Sequence, residues 1–305
     1  MSTYLSEEVQ NRNLEKYALD LETEGLTIVP ASVTGITDDL LGRCTEVLLS
    51  KFTELSGGCP ISLEDGPQGS LDWSSSRESA FTAGENTPEP TQTLIQQLLQ
   101  LDRCFRDLFL NPVVDALIGH MMGAHAKQKQ RSWRYSSTNS FVKWQGDYGY
   151  GEHLGLHCDQ GANPLPWGHT ALTANATWCL TEYTKEDGAL AYVPGSHKSN
   201  SHPNHPFAKD RAVAAECPAG SVIIWPGSTW HGAYPKKTPG LRLNAVAYYR
   251  HHSVLPQENM KLTMRDQDWQ DCDDPEMMRE LIGFDDPFPY ESQSYPFPKL
   301  KQTAA

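Results

Sequence analysis

Three things are scarce in this chain of 305 residues, and each scarcity narrows what it does. No apolar run approaches membrane-spanning length, and the segment from Met1 to Glu8 has neither the basic nor the apolar region of a secretory leader, so no membrane attachment is expected. The seven cysteines (Cys44, Cys59, Cys104, Cys158, Cys179, Cys217 and Cys272) are odd in number, scattered and without a Cys-x-x-Cys pair. That pattern gives no support for a disulfide frame or a structural zinc and suits free thiols in a reducing, cytoplasmic compartment. Basic residues are also in short supply, 25 against 38 acidic ones, for a net charge of −13. A phosphate-binding face needs clustered Lys and Arg, so no nucleic acid is expected as a partner. The densest basic stretch, residues 127–134, reads as a solvated strand edge.

What remains is the composition of an ordinary globular protein, 38% hydrophobic and 21% charged, long enough for one large domain. The first part reads as helical. Residues 6–24 form one helix closed by Gly25, a short strand follows at 26–29, and Thr37 caps a second helix whose apolar stripe runs through Leu41, Cys44, Leu48 and Phe52. Residues 56–90 turn to Gly, Pro, Ser and acidic residues, a loop of a length usual for a lid or binding loop, with Trp73 and Phe81 favouring partial packing. Helical period returns over 91–109, and Asn111-Pro112 opens a further helix that ends near Gly123; His120 at that end suits a surface or dipole role, as does His125 just beyond. Beyond Gly123 the period becomes that of strands, at 138–144, 172–183, 189–193, 212–215, 221–225 and 241–249, separated by turn residues as in an antiparallel sandwich or barrel. The economical organisation is a single catalytic domain over 1–305: helical support and loop over 1–125, a β core over 126–255 and an extension over 256–305.

Candidate chemistry starts at His157-Cys158-Asp159. In an extended strand the i and i+2 side chains share a face, so an imidazole and a carboxylate at this spacing reach one metal ion while Cys158 points away. A third ligand is offered by His231, which follows a tight turn after the buried strand at 221–225. Two imidazoles and one carboxylate on one side of an ion leave three positions open, the arrangement of non-haem Fe(II) oxygenases. Eleven residues later comes Arg242, sharing its strand face with Asn244, Val246 and Tyr248. An arginine facing inward needs an anion, and a dicarboxylate cosubstrate supplies one, its far carboxylate on the guanidinium and its keto-acid end on the iron.

The sequence resembles the phytanoyl-CoA dioxygenase family of Fe(II)- and 2-oxoglutarate-dependent oxygenases. The resemblance rests on His157-Cys158-Asp159, on the segment WCLTEYTKEDGALAYVPGSHK at 178–198, on GSTWH at 227–231 and on Arg242, and spans about residues 20–250. It implies a double-stranded β-helix (jelly-roll, cupin-like) barrel with flanking helices, with Fe(II), 2-oxoglutarate and dioxygen as its chemistry and a small molecule as substrate. It also implies that Trp178 lies near the cosubstrate and that Asn139, Ser140 or Lys143 touches it. Two positions depart from the family: Cys158 stands where many members have Gln, and Asn244 where many have Ser or Thr, still able to bond the cosubstrate. The readings set against an oxygenase are a ligand-binding jelly roll without catalysis and a cupin-type metalloenzyme that does not use 2-oxoglutarate; the intact triad weighs against the first and Arg242 against the second.

Other residues carry less. His153 suits a loop or substrate-facing role, and His197, His202 and His205 lie in a Pro- and Asn-rich stretch that reads as exposed loop. Trp133, Tyr148, Tyr150 and Trp167 are placed at the barrel mouth as a candidate apolar pocket. The aromatic tail after residue 285 suits either wrapping the barrel or forming a homodimer.

Overall fold

The computed structural model describes residues 6–74, 91–123, 131–146, 154–168, 171–203 and 207–286. Twelve strands follow in chain order: β1 Thr27–Val29, β2 Ile61–Ser62, β3 Gly66–Pro67, β4 Gln92–Gln96, β5 Trp133–Gly146, β6 Thr173–Cys179, β7 Leu190–Tyr192, β8 Val213–Ala214, β9 Val222–Pro226, β10 His231–Ala233, β11 Lys236–Arg242 and β12 Asn244–His251. Seven build one antiparallel sheet in the order β1-β9-β6-β12-β5-β11, with β4 also on β5. A smaller sheet, β10-β7-β8, stands against it, and β2-β3 forms a separate hairpin. The two larger sheets make the jelly roll, and helices cover the outer face of the seven-stranded one.

The alternation of side chains explains this layering. Along β6 and β12, Ala174, Ala176, Trp178, Ala245, Ala247 and Tyr249 face the helices and join their core with Leu48, Phe52, Phe105, Val114 and Leu117. Residues paired across the ladder share a face, as Ala176 does with Ala247 and Trp178 with Ala245. The small alanines let the helix Pro112–Met122 lie close to the sheet. That helix starts where expected: Asn111 Oδ1 accepts from Val113 N and Val114 N, Pro112 takes the first position, and Gly123 closes it at φ +92°. Thr37 likewise caps Asp38–Leu55 by accepting from Leu40 N at 3.3 Å.

Several expectations are corrected. The first helix is two, Glu7–Asn11 and Glu15–Thr23, broken where Asn13 takes φ +55°. Residues 92–96, expected to be helical, form β4 on the edge of β5, because a free strand edge offers hydrogen bonds that local helical period cannot match. Helices Leu98–Leu101 and Arg103–Phe109 follow only after a left-handed turn at Gln97. The run at 241–249 is two strands meeting at Leu243. Arg131 and Arg134 are not a solvated edge: Arg131 pairs with Asp115 and Glu280, and buried Arg134 with Asp286. His120 is buried, 3.1 Å from Glu22. Trp73 packs edge-on to Phe52 at 5.5 Å as expected, whereas Phe81, His125 and the tail beyond Asp286 lie outside the described residues.

The start of the C-terminal extension is anchored. Trp269, Met278 and Leu281 enter the core, and Glu258 caps a strand edge at buried Thr138 by accepting from Thr138 N at 3.1 Å and Gln97 N at 3.2 Å. Burial raises the Glu258 carboxyl to about 7 against an ordinary 4.5 despite these bonds. A carboxyl that holds its proton more tightly when folded contributes most below the unfolded value, and that contribution is lost as pH rises through the folded one. Glu258→Gln keeps an acceptor without the charge, so its urea-unfolding stability is expected to be flatter than wild type between pH 4.5 and 7 and higher above 7. Trp178→Ala, which empties the helix-facing core, is expected to cost about 3–5 kcal/mol in the same assay.

Candidate metal centre

The His157-Cys158-Asp159 motif is not a strand. His157 makes one isolated antiparallel bridge with His231, and the chain turns at once into a 3-10 helix, Asp159–Ala162. The bridge is reciprocal, His157 N to His231 O and His231 N to His157 O, both at 2.9 Å. Directly opposed residues of an antiparallel pair project to one side, so the two imidazoles face each other with ring centroids 4.3 Å apart. Close approach requires Gly232, where a Cβ would sit 2.0 Å from the Leu154 carbonyl oxygen. A second contact needs Gly227, whose Cβ would overlap the Thr173 hydroxyl; its own N–H donates to Thr173 O at 2.7 Å and its carbonyl accepts from Gln160 N at 2.9 Å.

Asp159 completes the group. Its Oδ1 lies 3.4 Å from His157 Nε2 and its Oδ2 3.5 Å from His231 Nε2, and one donor atom from each residue falls within 4.8 Å of the others. No other cluster of three or more such ligands occurs among the described residues. Gly155 O is 2.8 Å from His157 Nδ1 and Thr229 O is 3.0 Å from His231 Nδ1, which assigns the ring proton to Nδ1 and leaves both Nε2 lone pairs facing Asp159. Asn175 Nδ2 donates to Asp159 Oδ2 at 2.6 Å. Burial alone would raise the Asp159 carboxyl, but His231, His157 and Asn175 outweigh it and hold it below the ordinary range; burial lowers His231. Both are therefore ready donors near neutral pH. His231 is buried, Asp159 partly so, and His157 stands at the solvent side. This set fits a divalent transition ion held from one side.

Arg242 lies on the same inner face, deeper in the fold. It is 4% exposed, its Nε has no partner, and no carboxylate lies within 4.0 Å of it among the described residues. Its Nη1 donates to the Tyr183 hydroxyl at 3.0 Å and its guanidinium lies 5.0 Å from the Tyr183 ring centre. Asn244 adjoins it, accepting from Phe141 N at 2.8 Å and donating to the same hydroxyl at 3.0 Å. A buried cation without a counter-ion fits an anionic ligand.

The remaining sequence-derived candidates divide by strand face. Asn139 pairs with Val246 and shares the inner face, its buried Oδ1 without a partner among the described residues. Lys143 pairs with Arg242, is fully buried and donates to Tyr234 O at 2.5 Å; burial, then Arg242 and Lys236, depress its amine. Trp178 and Ser140 turn the other way, Trp178 into the helix-facing core and Ser140 opposite Ile95 of that core, because alternation puts neighbours of inward residues outside. Trp133 also belongs to the outer core, its Nε1 donating to Asp115, so it is not at the mouth. Trp167 is buried against His202, which lies 3.6 Å from the Cys158 thiol behind the ligand turn. Gln160 braces that turn by accepting from Leu172 N at 2.8 Å. His197 lies against Glu22 O. Tyr148, Tyr150, His153 and His205 lie outside the described residues. Asn175 and Tyr183 had no role in the sequence reading; for Asn175 the trace was there, a polar residue alternating with alanines.

The phytanoyl-CoA dioxygenase (PhyH) pattern matches residues 73–244, more than half the chain. Dioxygenase af480 of Aspergillus fumigatus is 30% identical over 175 residues, 56% of this chain and 53% of the relative. Dioxygenase andF of Emericella variicolor is 30% identical over 130 residues, 37% of this chain and 45% of the relative. The chain thus spans about half the length of the curated relatives it matches. Among solved structures, AviO1 of Streptomyces viridochromogenes Tue57 aligns with TM-score 0.55 at 15% identity over 84% of this chain and 99% of that one. The epimerase SnoN with Fe3+, alpha ketoglutarate and nogalamycin RO gives 0.54 at 16%, over 81% and 88%. HygX of Streptomyces hygroscopicus with nickel, 2-oxoglutarate and hygromycin B gives 0.51 at 16%, over 79% and 88%. At such identities the structures speak for the jelly-roll fold, and the pattern match for descent: this chain belongs to the phytanoyl-CoA dioxygenase family.

Proposed function

We propose that the chain is an Fe(II)- and 2-oxoglutarate-dependent dioxygenase that oxidises, in the simplest case hydroxylates, a C–H bond of a small organic molecule, a natural-product intermediate in the cytoplasm. One observation carries the reading: the set of His157, Asp159 and His231 shares an interior with an arginine that has no counter-ion among the described residues. The fungal dioxygenases among its relatives, and the natural products held by HygX and SnoN, support the substrate class.

In this reading His157 and His231 bind the ion through Nε2 and Asp159 through its carboxylate. The carbonyls of Gly155 and Thr229 fix the rings, and Asn175 fixes the carboxylate. Iron, when bound, supplies dioxygen activation coupled to oxidative decarboxylation of 2-oxoglutarate to succinate. Arg242 holds the far carboxylate, which orients the keto acid, and Asn139 is a further contact on the same face. The apolar cluster of Trp225, Ile223 and Ala189 keeps water from the site's inner side.

Protein loaded anaerobically with Fe(II) and 2-oxoglutarate, then exposed to oxygen, is expected to release succinate, slowly without a substrate and faster with one. His157→Ala is expected to lower that yield by more than about 100-fold, since loss of supporting contacts alone costs 10–100-fold. Absence of succinate from the wild type, or full turnover in His157→Ala, defeats the reading; chromatography with mass detection measures both.

A further inference from the structure

The hydroxyl of Tyr183 is held by two donors and has one hydrogen left to give. Arg242 Nη1 and Asn244 Nδ2 each donate to it at 3.0 Å. A phenolic oxygen offers two acceptor sites and one hydrogen, so both acceptor sites are filled. No acceptor for that hydrogen lies in reach among the described residues, and the side chain is fully buried. Burial, set against the nearby Arg242 charge, pushes the phenol above its ordinary value, so the hydrogen stays on. A buried donor without an acceptor is costly unless a ligand supplies one. The guanidinium beside it has the same need, its Nε being unmatched.

We propose that Tyr183 is a cosubstrate-binding residue, donating its hydroxyl hydrogen to the same distal carboxylate of 2-oxoglutarate that Arg242 pairs with, and that Asn244 acts through it as a positioning residue. This rests on the 2-oxoglutarate reading above. Asn244 connects two strands and the phenol: its Oδ1 accepts from Phe141 N of β5 while its Nδ2 turns the hydroxyl. The ring is fixed from the other end, since Tyr183 and Cys217 exchange both backbone hydrogen bonds at 2.9 Å. Two hydrogen bonds and an anchored backbone hold the remaining O–H direction, which is what selective recognition of a carboxylate requires.

Isothermal titration of the anaerobic Fe(II) protein with 2-oxoglutarate and with 2-oxobutyrate, which lacks the distal carboxylate, tests this. Tyr183→Phe removes one oxygen and is expected to weaken 2-oxoglutarate about 10- to 100-fold, as for a hydrogen bond to a charged group, while 2-oxobutyrate binds as to wild type. Asn244→Ala is expected to give the same selective loss, and stands in should Tyr183→Phe fail to fold. Equal weakening of both keto acids would mean a purely structural tyrosine, and unchanged 2-oxoglutarate binding would mean no contact; either overturns the inference. Failure of wild type itself to bind 2-oxoglutarate overturns the parent reading, which separates the two.

Discussion

Two backbone hydrogen bonds carry this architecture: the reciprocal pair between His157 and His231. They join an irregular segment to a three-residue strand of the small sheet, and by doing so they set two imidazoles face to face. Everything else at the site is arranged around them. Gly232 keeps the two chains near enough to bond, the 3-10 turn after Cys158 returns Asp159 toward the rings, and Gln160 ties that turn to the start of β6. A single side chain at position 232 would displace the backbone on which both histidines depend.

The sheet that supports this centre reverses the usual sense of burial. Its apolar positions, the alanines of β6 and β12 with Trp178 and Tyr249, look outward to the helices, and its polar positions, Asn175, Thr177, Asn244 and Tyr248, look into the barrel. Buried polar groups are tolerated when partnered, and most here are: Asn175 by Asp159, Asn244 by Tyr183 and Phe141. Among the described residues, buried polar atoms of this sheet without a partner include Asn139 Oδ1, Thr173 Oγ1, Trp225 Nε1 and Arg242 Nε on the inner face. The larger apolar core lies on the outer face, and a smaller one with Cys179, Ile223 and Trp225 flanks the polar inner positions.

How much of this was legible depended on whether the feature was local. The caps at Thr37 and Asn111 were read correctly, because capping is chemistry within three residues. The grouping of His157, Asp159 and His231 was also read, though for a partly wrong local reason: i, i+2 spacing in a strand was assumed, whereas a bridge and a 3-10 turn achieve the convergence. Strand faces were the main loss. Trp178 and Ser140 sit one residue from inward positions, and a one-residue step in a strand exchanges cavity for core. The helical reading of 91–96 failed because pairing with β5 is non-local. Tyr183 lies inside the family-like segment at 178–198 but nothing local singled it out; its importance arises from Arg242 and Asn244, 59 and 61 residues away, meeting at its hydroxyl.

Electrostatics tie the inner face to the outside. The chain carries a net charge of −13, yet the deep end of the barrel collects Arg242, Lys143 and Lys236, all buried. Lys236 is matched by Asp187 and Lys143 by a carbonyl, while Arg242 has no anion among the described residues, so its positive charge sits unmatched by them within a negative envelope. In a low-dielectric interior such a charge attracts a dianion strongly at short range, and the acidic exterior opposes anions only weakly beyond about a Debye length, near 8 Å in physiological salt. A small dicarboxylate that enters the barrel therefore gains more than it loses on approach.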